Sequence, residues 1–514
     1  MEISIVGAGA AGLATAAALS GQGHRLRVFE RDAPPEERAL VSDPGGPERW
    51  SRPGVPQMRH SHAFLARLRS LLAQREPKLL AALLDAGARE LHFAELARPW
   101  FGELDPDPSD SELALLACRR TTFEWVLRRY VESLPDIEIR SRTSIEGLAV
   151  DGSSGTRPPH VCALLARDHG GSGRPERIAS DLVIDASGRR TAAASWLRAA
   201  GAPPFACERE PCGIFYASRF YRFRDGIEPL PIAGGVLAID LGYLKVGLFP
   251  GDGRSFSLTL AASPDDRPLT ALLREPGFEA AARAIPVAAP YVSPEIAEPI
   301  SRLHGMGDLE SVRHFPHDAD GEPLVTGLVA VGDALIHTNP LYGRGCTLSF
   351  IHAYALADAL AAESANSTGP TGQTDLVAFA HALDRAVESE IVPWYESSLG
   401  QDRDARAVAD ELARGGDPYR AQGEDGRVEP RAYMRSLVRD GLAPAMREDV
   451  GLLRAFLRVF NLLEAPRDLM KDPTVFQRVL AFHASRSQRE PFVQGPDRAT
   501  MVACIEHAEA SVRP

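Results

Sequence analysis

Short apolar blocks open the chain and set its first element pattern. Residues 2–7 read as a short buried strand, 10–21 as a helix of small apolar residues, and 25–30 as a second strand. That order is a βαβ unit of about 30 residues. Residues 33–58, rich in Pro, Gly and charge, read as a loop, followed by helices near 62–75 and 77–87. A breaker-rich loop at 101–111 precedes a helix at 120–133 and strands at 137–142, 145–150, 160–167 and 176–184. Further strands are expected within 212–262, helix within 265–295, and one more buried strand at 328–332. From about 375 the pattern is helical, broken by the polar stretch 414–430.

Composition narrows the class. A chain of 514 residues is too long for one hydrophobic core, so two or three domains are expected. No apolar run approaches the roughly 18 residues of a membrane span. The chain opens on a strand with no basic leader, which leads us to expect no transmembrane segment and a cytoplasmic location. A net charge of -12 argues against a nucleic-acid partner. The six cysteines form no CxxC pair, so reduced thiols and no metal site are expected.

The first motif is Gly7-Ala8-Gly9-Ala10-Ala11-Gly12, a G-x-G-x-x-G directly after a strand and before a helix. Gly7 permits the tight turn, Gly9 lets backbone approach a pyrophosphate, and Gly12 lets helix and strand pack closely. The helix start, with Ala10 and Ala11, offers unpaired N–H groups to the phosphates. Glu30 ends the second strand 23 residues after Gly7, followed by Arg31. A carboxylate there accepts hydrogen bonds from a ribose and repels a 2′-phosphate, so FAD or NAD fits better than NADP.

The second motif selects FAD. Residues 328–345 run from a strand into Gly332-Asp333, then through His337, Asn339-Pro340, Tyr342-Gly343 and Arg344 to Gly345, followed by Cys346. Asp333 is placed for ribityl hydroxyls, and the helix starting near Gly345 is placed to stabilise negative charge on a reduced flavin. This Gly-Asp-Ala…Asn-Pro…Gly-x-Gly pattern resembles the FAD-dependent monooxygenases of the para-hydroxybenzoate hydroxylase superfamily. Arg120-Thr-Thr-Phe-Glu124 is similar to that family's Arg-x-x-[Leu/Phe]-Glu helix, whose arginine contacts FAD. Asp185-Ala-Ser-Gly188-Arg189 stands in place of its central Asp-Gly motif. Arg52-Pro-Gly54-Val55-Pro56-Gln57 with His60 and His62 resembles a segment of a subset that includes polyether-type epoxidases.

The resemblance spans residues 2–365 and implies an α/β fold. A Rossmann-type FAD-binding domain, discontinuous over 1–87, 113–201 and 301–370, carries an inserted β-sheet substrate domain at 88–112 and 202–300. A helical extension at 371–514 is expected to pack on the FAD domain. The implied cofactor is non-covalent FAD, and NADPH or NADH is expected as electron donor, directly or through a flavin reductase. The implied reaction hydroxylates or epoxidises an organic small molecule, apolar or aromatic, through a flavin C4a-hydroperoxide. Two rivals stand beside it: an FAD-dependent dehydrogenase or reductase acting on carbon–carbon bonds without oxygen, and a non-catalytic FAD-binding protein. No catalytic base is evident, and the pocket candidates are His60, His337, Tyr342 and Arg344. The family's halogenases carry a Trp-x-Trp-x-Ile-Pro motif and a catalytic lysine. The five tryptophans contain no such pair and Lys245 is the sole lysine candidate, which speaks against halogenation.

Overall fold

A computed structural model describes residues 1–35, 50, 52–105, 107–152, 158–170, 173–232, 237–366, 374–422, 427–489 and 494–512. Much of the loop read at 33–58, Pro106, and the middle of the 414–430 stretch lie outside the described residues.

The βαβ unit is present as β1 (Glu2–Val6), α1 (Ala10–Leu19) and β2 (Arg25–Glu30). Helices α2 (Ala66–Arg75) and α3 (Pro77–Asp85) follow. The 88–112 segment, assigned to the substrate domain with no element of its own beyond the loop at 101–111, forms β3 (Arg89–His92) and α4 (Phe93–Phe101), and Pro108–Glu112 coils as a 3-10 turn. Helix α4 forms despite Pro99 because Phe93, Leu96 and Ala97 share one face with a distant partner. That partner is Leu453 and Leu457, more than 300 positions on, so local pattern could not reveal it. β4 (Ala114–Ala117) pairs antiparallel with β3 and leads into α5 (Arg120–Glu132).

β5 (Ile137–Ser141) is followed by β6 (Thr143–Asp151), β7 (His160–Asp168) and β8 (Glu176–Ala179), which make a three-stranded antiparallel sheet. The single strand expected at 176–184 is two, because the chain changes sheet at Ser180–Asp181. β9 (Leu182–Asp185) pairs parallel with β1, and α6 (Ala193–Ala199) follows. β10 (Ala206–Pro211) leads to β11 (Phe215–Phe223), β12 (Leu237–Asp240), β13 (Leu244–Pro250) and β14 (Ser255–Ala262). After α7 (Glu275–Ala284) come β15 (Ala297–Pro299), β16 (His304–Met306), β17 (Glu310–Phe315), β18 (Leu328–Ala330) and β19 (Ile336–His337).

The parallel sheet runs β18-β9-β1-β2-β5, and its inner strands are apolar almost throughout because helices cover one face and the β6-β7-β8 sheet with α6 covers the other. An antiparallel sheet runs β12-β13-β14-β11-β15, with β16 also paired to β11. β10, β17 and β19 form a small antiparallel sheet.

The chain then forms α8 (Gly345–Asn366), α9 (Leu376–Glu390) and α10 (Val392–Ala413). α11 (Pro430–Ser436) continues through a wide π turn, Leu437–Leu442. α12 (Val450–Phe460), α13 (Pro473–Ala484) and α14 (Arg498–Val512) complete the helical region. It does not pack on the nucleotide-binding sheet alone. α9 lies along α8, α12 backs α4, and α14 packs on α7 and joins the core of the large antiparallel sheet through Met501 and Ile505, one helical turn apart.

α8 corrects the expectation that no apolar run approaches span length. It has 22 residues, with an 18-residue window of mean hydropathy 1.2, and 67% of that window is buried inside the protein. Its apolar faces meet α1, α2 and α9, which is the environment of a core helix. Phe350 of α8 meets Phe123 at 5.8 Å, and Phe123 stacks on Phe64 at 4.3 Å. Phe350 has no exposed surface. Phe350→Ala is therefore expected to cost about 3–5 kcal/mol by urea unfolding, against less than about 0.5 kcal/mol for a truncation at the surface residue Leu84.

Candidate cofactor and active site

One cleft of about 320 Å³ runs from the end of β1 to the antiparallel sheet. The glycine turn forms its floor. Gly7 sits at φ +103, where a Cβ would meet the Ala186 carbonyl oxygen at 2.7 Å. A Cβ on Gly12 would stand 1.9 Å from the Gly7 carbonyl oxygen, so helix and strand touch there as the motif anticipates. A Cβ on Gly9 would meet nothing within 4 Å, because that face is the open cleft. No side chain caps α1 at Gly9, which leaves the first-turn N–H groups beside Ala10 and Ala11 turned to the cleft. These are the features a bound pyrophosphate requires. The buried Gln57 Oε1 has no protein partner and also lines the cleft, which suits a further hydrogen bond to a ligand.

A chain of buried charges fixes one wall. Glu30 accepts hydrogen bonds from Ala8 N at 3.1 Å, Asp32 N at 2.9 Å and the Arg52 guanidinium. Arg52 also donates to Glu124 at 2.6 Å, and Glu124 takes a second bond from Arg120 at 2.6 Å. Burial alone would raise the Glu124 carboxyl, but the Arg120 and Arg52 guanidiniums overrule it and hold it below the usual range. Arg120 donates to His62 Nε2 at 2.9 Å, so His62 Nδ1 carries the proton that it gives to the His60 carbonyl at 2.9 Å. Burial and then Arg120 push His62 well below 6.5. Arg31 stands at the exposed rim.

The opposite wall follows from strand parity. Along β11, Phe215, Ala217, Tyr221 and Phe223 face the core under α7 and α14, so Tyr216 and Ser218 face the other way, toward the cleft. Ser218 bonds Thr259 of β14 at 2.7 Å, Thr259 bonds Ser61 at 2.7 Å, and His60 Nδ1 lies 3.1 Å from Ser218. The 56–62 segment is thereby tied to the antiparallel sheet. Burial, then His304 and Arg189, drop His60 to about 3. Burial raises the Tyr216 phenol, whose hydroxyl donates to Met306 Sδ at 2.9 Å. Arg189 lines this end and pairs with no carboxylate among the described residues.

The 332–346 segment closes the cleft. Gly332 lies beneath the lining, against Ala11 and Ser349, and its N–H donates to His352 Nδ1 at 3.1 Å. Asp333 lines the cleft with His337 Nε2 3.9 Å away, and His337 Nδ1 donates to the Glu310 carbonyl at 2.7 Å. Pro340, Gly343, Gly345 and Cys346 line it as well, at the start of α8. Burial lifts the Cys346 thiol to about 11, so it stays protonated.

Of the expected site residues, Gly7, Gly9, Ala10, Ala11, Glu30, Arg31, Gln57, His60, His62, Arg120, Gly188, Asp333, His337, Pro340, Gly343, Gly345 and Cys346 meet at this cleft. Tyr342 and Arg344 do not. They turn to α10, where Tyr342 donates to Asp402 at 2.7 Å and Arg344 lies over the Tyr342 and Trp394 rings. Asp185 is fully buried and holds its own loop through Ser187 N at 2.9 Å and the Thr191 hydroxyl. Lys245 pairs with Asp240 outside the cleft. The sequence reading missed Tyr216, Met306 and His352. Alternation along 215–223 carried a signal for Tyr216, whereas nothing local marked His352.

Residues 5–35 match the NAD(P)-binding Rossmann-like domain family. Protein Rv3254 of Mycobacterium tuberculosis is 30% identical over 433 residues, covering 80% of this chain and 82% of that protein. Two solved structures share the fold. PqsL, a probable FAD-dependent monooxygenase from Pseudomonas aeruginosa, is 16% identical with a TM-score of 0.53, covering 80% of this chain and 96% of its own. The myxobacterial chondrochloren halogenase CndH is 15% identical with a TM-score of 0.54, covering 100% and 97%.

The neutral histidines give the apoprotein a pH signature. A histidine whose folded pKa lies below its unfolded value near 6.5 binds its proton on unfolding. Stability is then full above about 6.5 and declines as pH falls, for His60 down to about 3. Each such group adds a slope of at most about 1.4 kcal/mol per pH unit. His60→Gln is expected to flatten the fall in urea-unfolding stability between pH 6 and pH 4, and an unchanged slope would show that His60 is not held neutral.

Proposed function

Since the chain belongs to the family of protein Rv3254, we propose that it is an FAD-dependent monooxygenase of the para-hydroxybenzoate hydroxylase-like superfamily. It hydroxylates or epoxidises an apolar or aromatic small molecule. The observation that carries this reading is a single cleft into which two helices open, α1 at Gly9 and α8 at Gly345, walled by Tyr216, Met306 and His60 from the antiparallel-sheet side. Gly7, Gly9, Ala10 and Ala11 would hold the pyrophosphate, and Glu30 the adenosine end. Gln57, His62, Arg120, Asp333, Pro340 and Gly343 would hold the ribityl chain and ring.

Bound FAD would supply the redox and oxygen-activating chemistry. The chain's own part is to bind, orient and exclude water. His60 is neutral at pH 7 and Tyr216 keeps its proton, so neither brings a charge to the reacting end. Such a wall suits an alkene or arene better than a substrate that must first lose a proton. Reducing equivalents come from NADPH or NADH, directly or through a flavin reductase.

Gly9→Val is expected to purify folded but without flavin, because its side chain enters open cleft rather than protein. Gly12→Val is expected not to fold, since its Cβ falls on the Gly7 carbonyl. A yellow Gly9→Val protein would overturn the cradle assignment.

Anaerobic mixing with NADPH or NADH, with and without a flavin reductase, identifies the electron route by the loss of the oxidised flavin absorbance. Mixing the reduced protein with oxygen then tests the reaction class. A monooxygenase gives an oxygen-dependent transient between the reduced and oxidised spectra, prolonged by a substrate analogue. Direct return to oxidised flavin under all conditions favours a dehydrogenase or reductase acting on carbon–carbon bonds. Failure of every donor with FAD still bound favours a non-catalytic role.

A further inference from the structure

Helix α10 carries a stripe of three residues one turn apart, Trp394, Ser398 and Asp402, and each touches the segment that closes the cleft. Asp402 Oδ1 accepts from Asn339 Nδ2 at 2.7 Å and from the Tyr342 hydroxyl at 2.7 Å. Ser398 Oγ accepts from Arg344 Nη1 at 3.1 Å. The Arg344 guanidinium lies 5.1 Å from the centre of the Trp394 ring and 5.0 Å from that of Tyr342. All of these side chains except Tyr342 are buried, and Asp402 is only 2% exposed. On their other side Pro340, Gly343 and Gly345 line the cleft.

The segment between these two faces is short. Asn339 Oδ1 accepts from Leu341 N at 3.0 Å, which closes a turn, and the same side chain gives its amide to Asp402. Asn339 thus couples the shape of the turn to helix α10. Gly343, at φ +69, then redirects the backbone into α8. A polar group left without its partner at this depth would pull the turn out of shape.

We propose that Asp402 is a positioning residue of the flavin site, with α10 acting as the backstop that sets where the 339–345 backbone and the first turn of α8 stand against the flavin ring. This rests on the reading of the cleft as an FAD site. A buttress of this kind would act on the difference between oxidised and reduced flavin, because the start of α8 opens at the cleft and its partial positive charge would favour the negative charge that reduction adds.

The test compares Asp402→Ala with Asp402→Asn in the FAD-loaded full chain. Asparagine keeps an acceptor for Tyr342 and Asn339 but removes the charge, whereas alanine removes both bonds. Asp402→Ala is expected to lower the affinity for reduced FAD relative to oxidised FAD about tenfold, read as a fall of about 30 mV in the two-electron midpoint potential. Asp402→Asn should stay near the parent value. A structural role alone would lower the unfolding midpoint and leave the potential in place, and that result overturns the proposal. Equal shifts in both variants would also overturn it, because the effect would then come from charge and not from position. Where Asp402→Ala does not fold, Tyr342→Phe removes one of the two bonds and should shift the potential in the same direction by a smaller amount. An unchanged potential in that variant counts against the buttress. A parent protein that binds no FAD would instead refute the cofactor reading, and is distinguishable from every outcome above.

Discussion

The close contact of α1 with β1 and with α8 is the constraint on which the site depends. α1 is built from alanine, glycine, threonine and leucine, and nearly all of it is buried. Small side chains let α8 lie alongside, and they let Gly12 rest on the Gly7 carbonyl. Two helices more than 300 residues apart in sequence consequently begin at one cleft, and their N-terminal ends add their partial positive charges there. A larger residue in that contact would separate the two ends and with them the halves of the proposed cofactor site.

The far wall obeys a different rule. A strand presents alternate residues to opposite faces, so the same β11 that supplies Phe215 and Tyr221 to a core also supplies Tyr216 to the cleft and Ser218 to the His60 and Thr259 contacts behind it. α14 packs on α7 and adds Met501 and Ile505 to the core on that side of the sheet. The helical region therefore serves both walls. It adds to the core of the antiparallel sheet at one place and braces the 339–344 turn at another.

These relations mark what was legible in the sequence. The glycine turn, Asp333 and the Gly343–Gly345 stretch could be read because backbone geometry demands particular residue types at fixed spacing. The 56–62 segment could be read only as a likeness, and its attachment to Ser218 and Thr259 emerges from tertiary contact. Tyr342 and Arg344 were expected at the pocket because their neighbours are there. A turn through Gly343 reverses the side on which a residue falls, and local sequence does not fix that side. Helix α4 was hidden for the same kind of reason, since its apolar face has meaning only against α12.

The buried chain from Glu30 through Arg52 and Glu124 to Arg120 presents an energetic question. Glu124 has no exposed surface and Arg52 very little. An intact buried pair of this kind contributes little net stability, since desolvation offsets the attraction. Loss of one member would cost about 3–5 kcal/mol, because the rest are left as uncompensated charge. Stability alone therefore does not account for the arrangement. Placement does, because the chain joins the end of β2, the 52–57 segment and the first turn of α5, adding directional bonds to the packing of Trp125 with Val55 and Met58. The charges act as a jig. With Glu124 fixed by two guanidiniums, Arg120 has one remaining direction in which to point, and it points at His62 on the cleft wall.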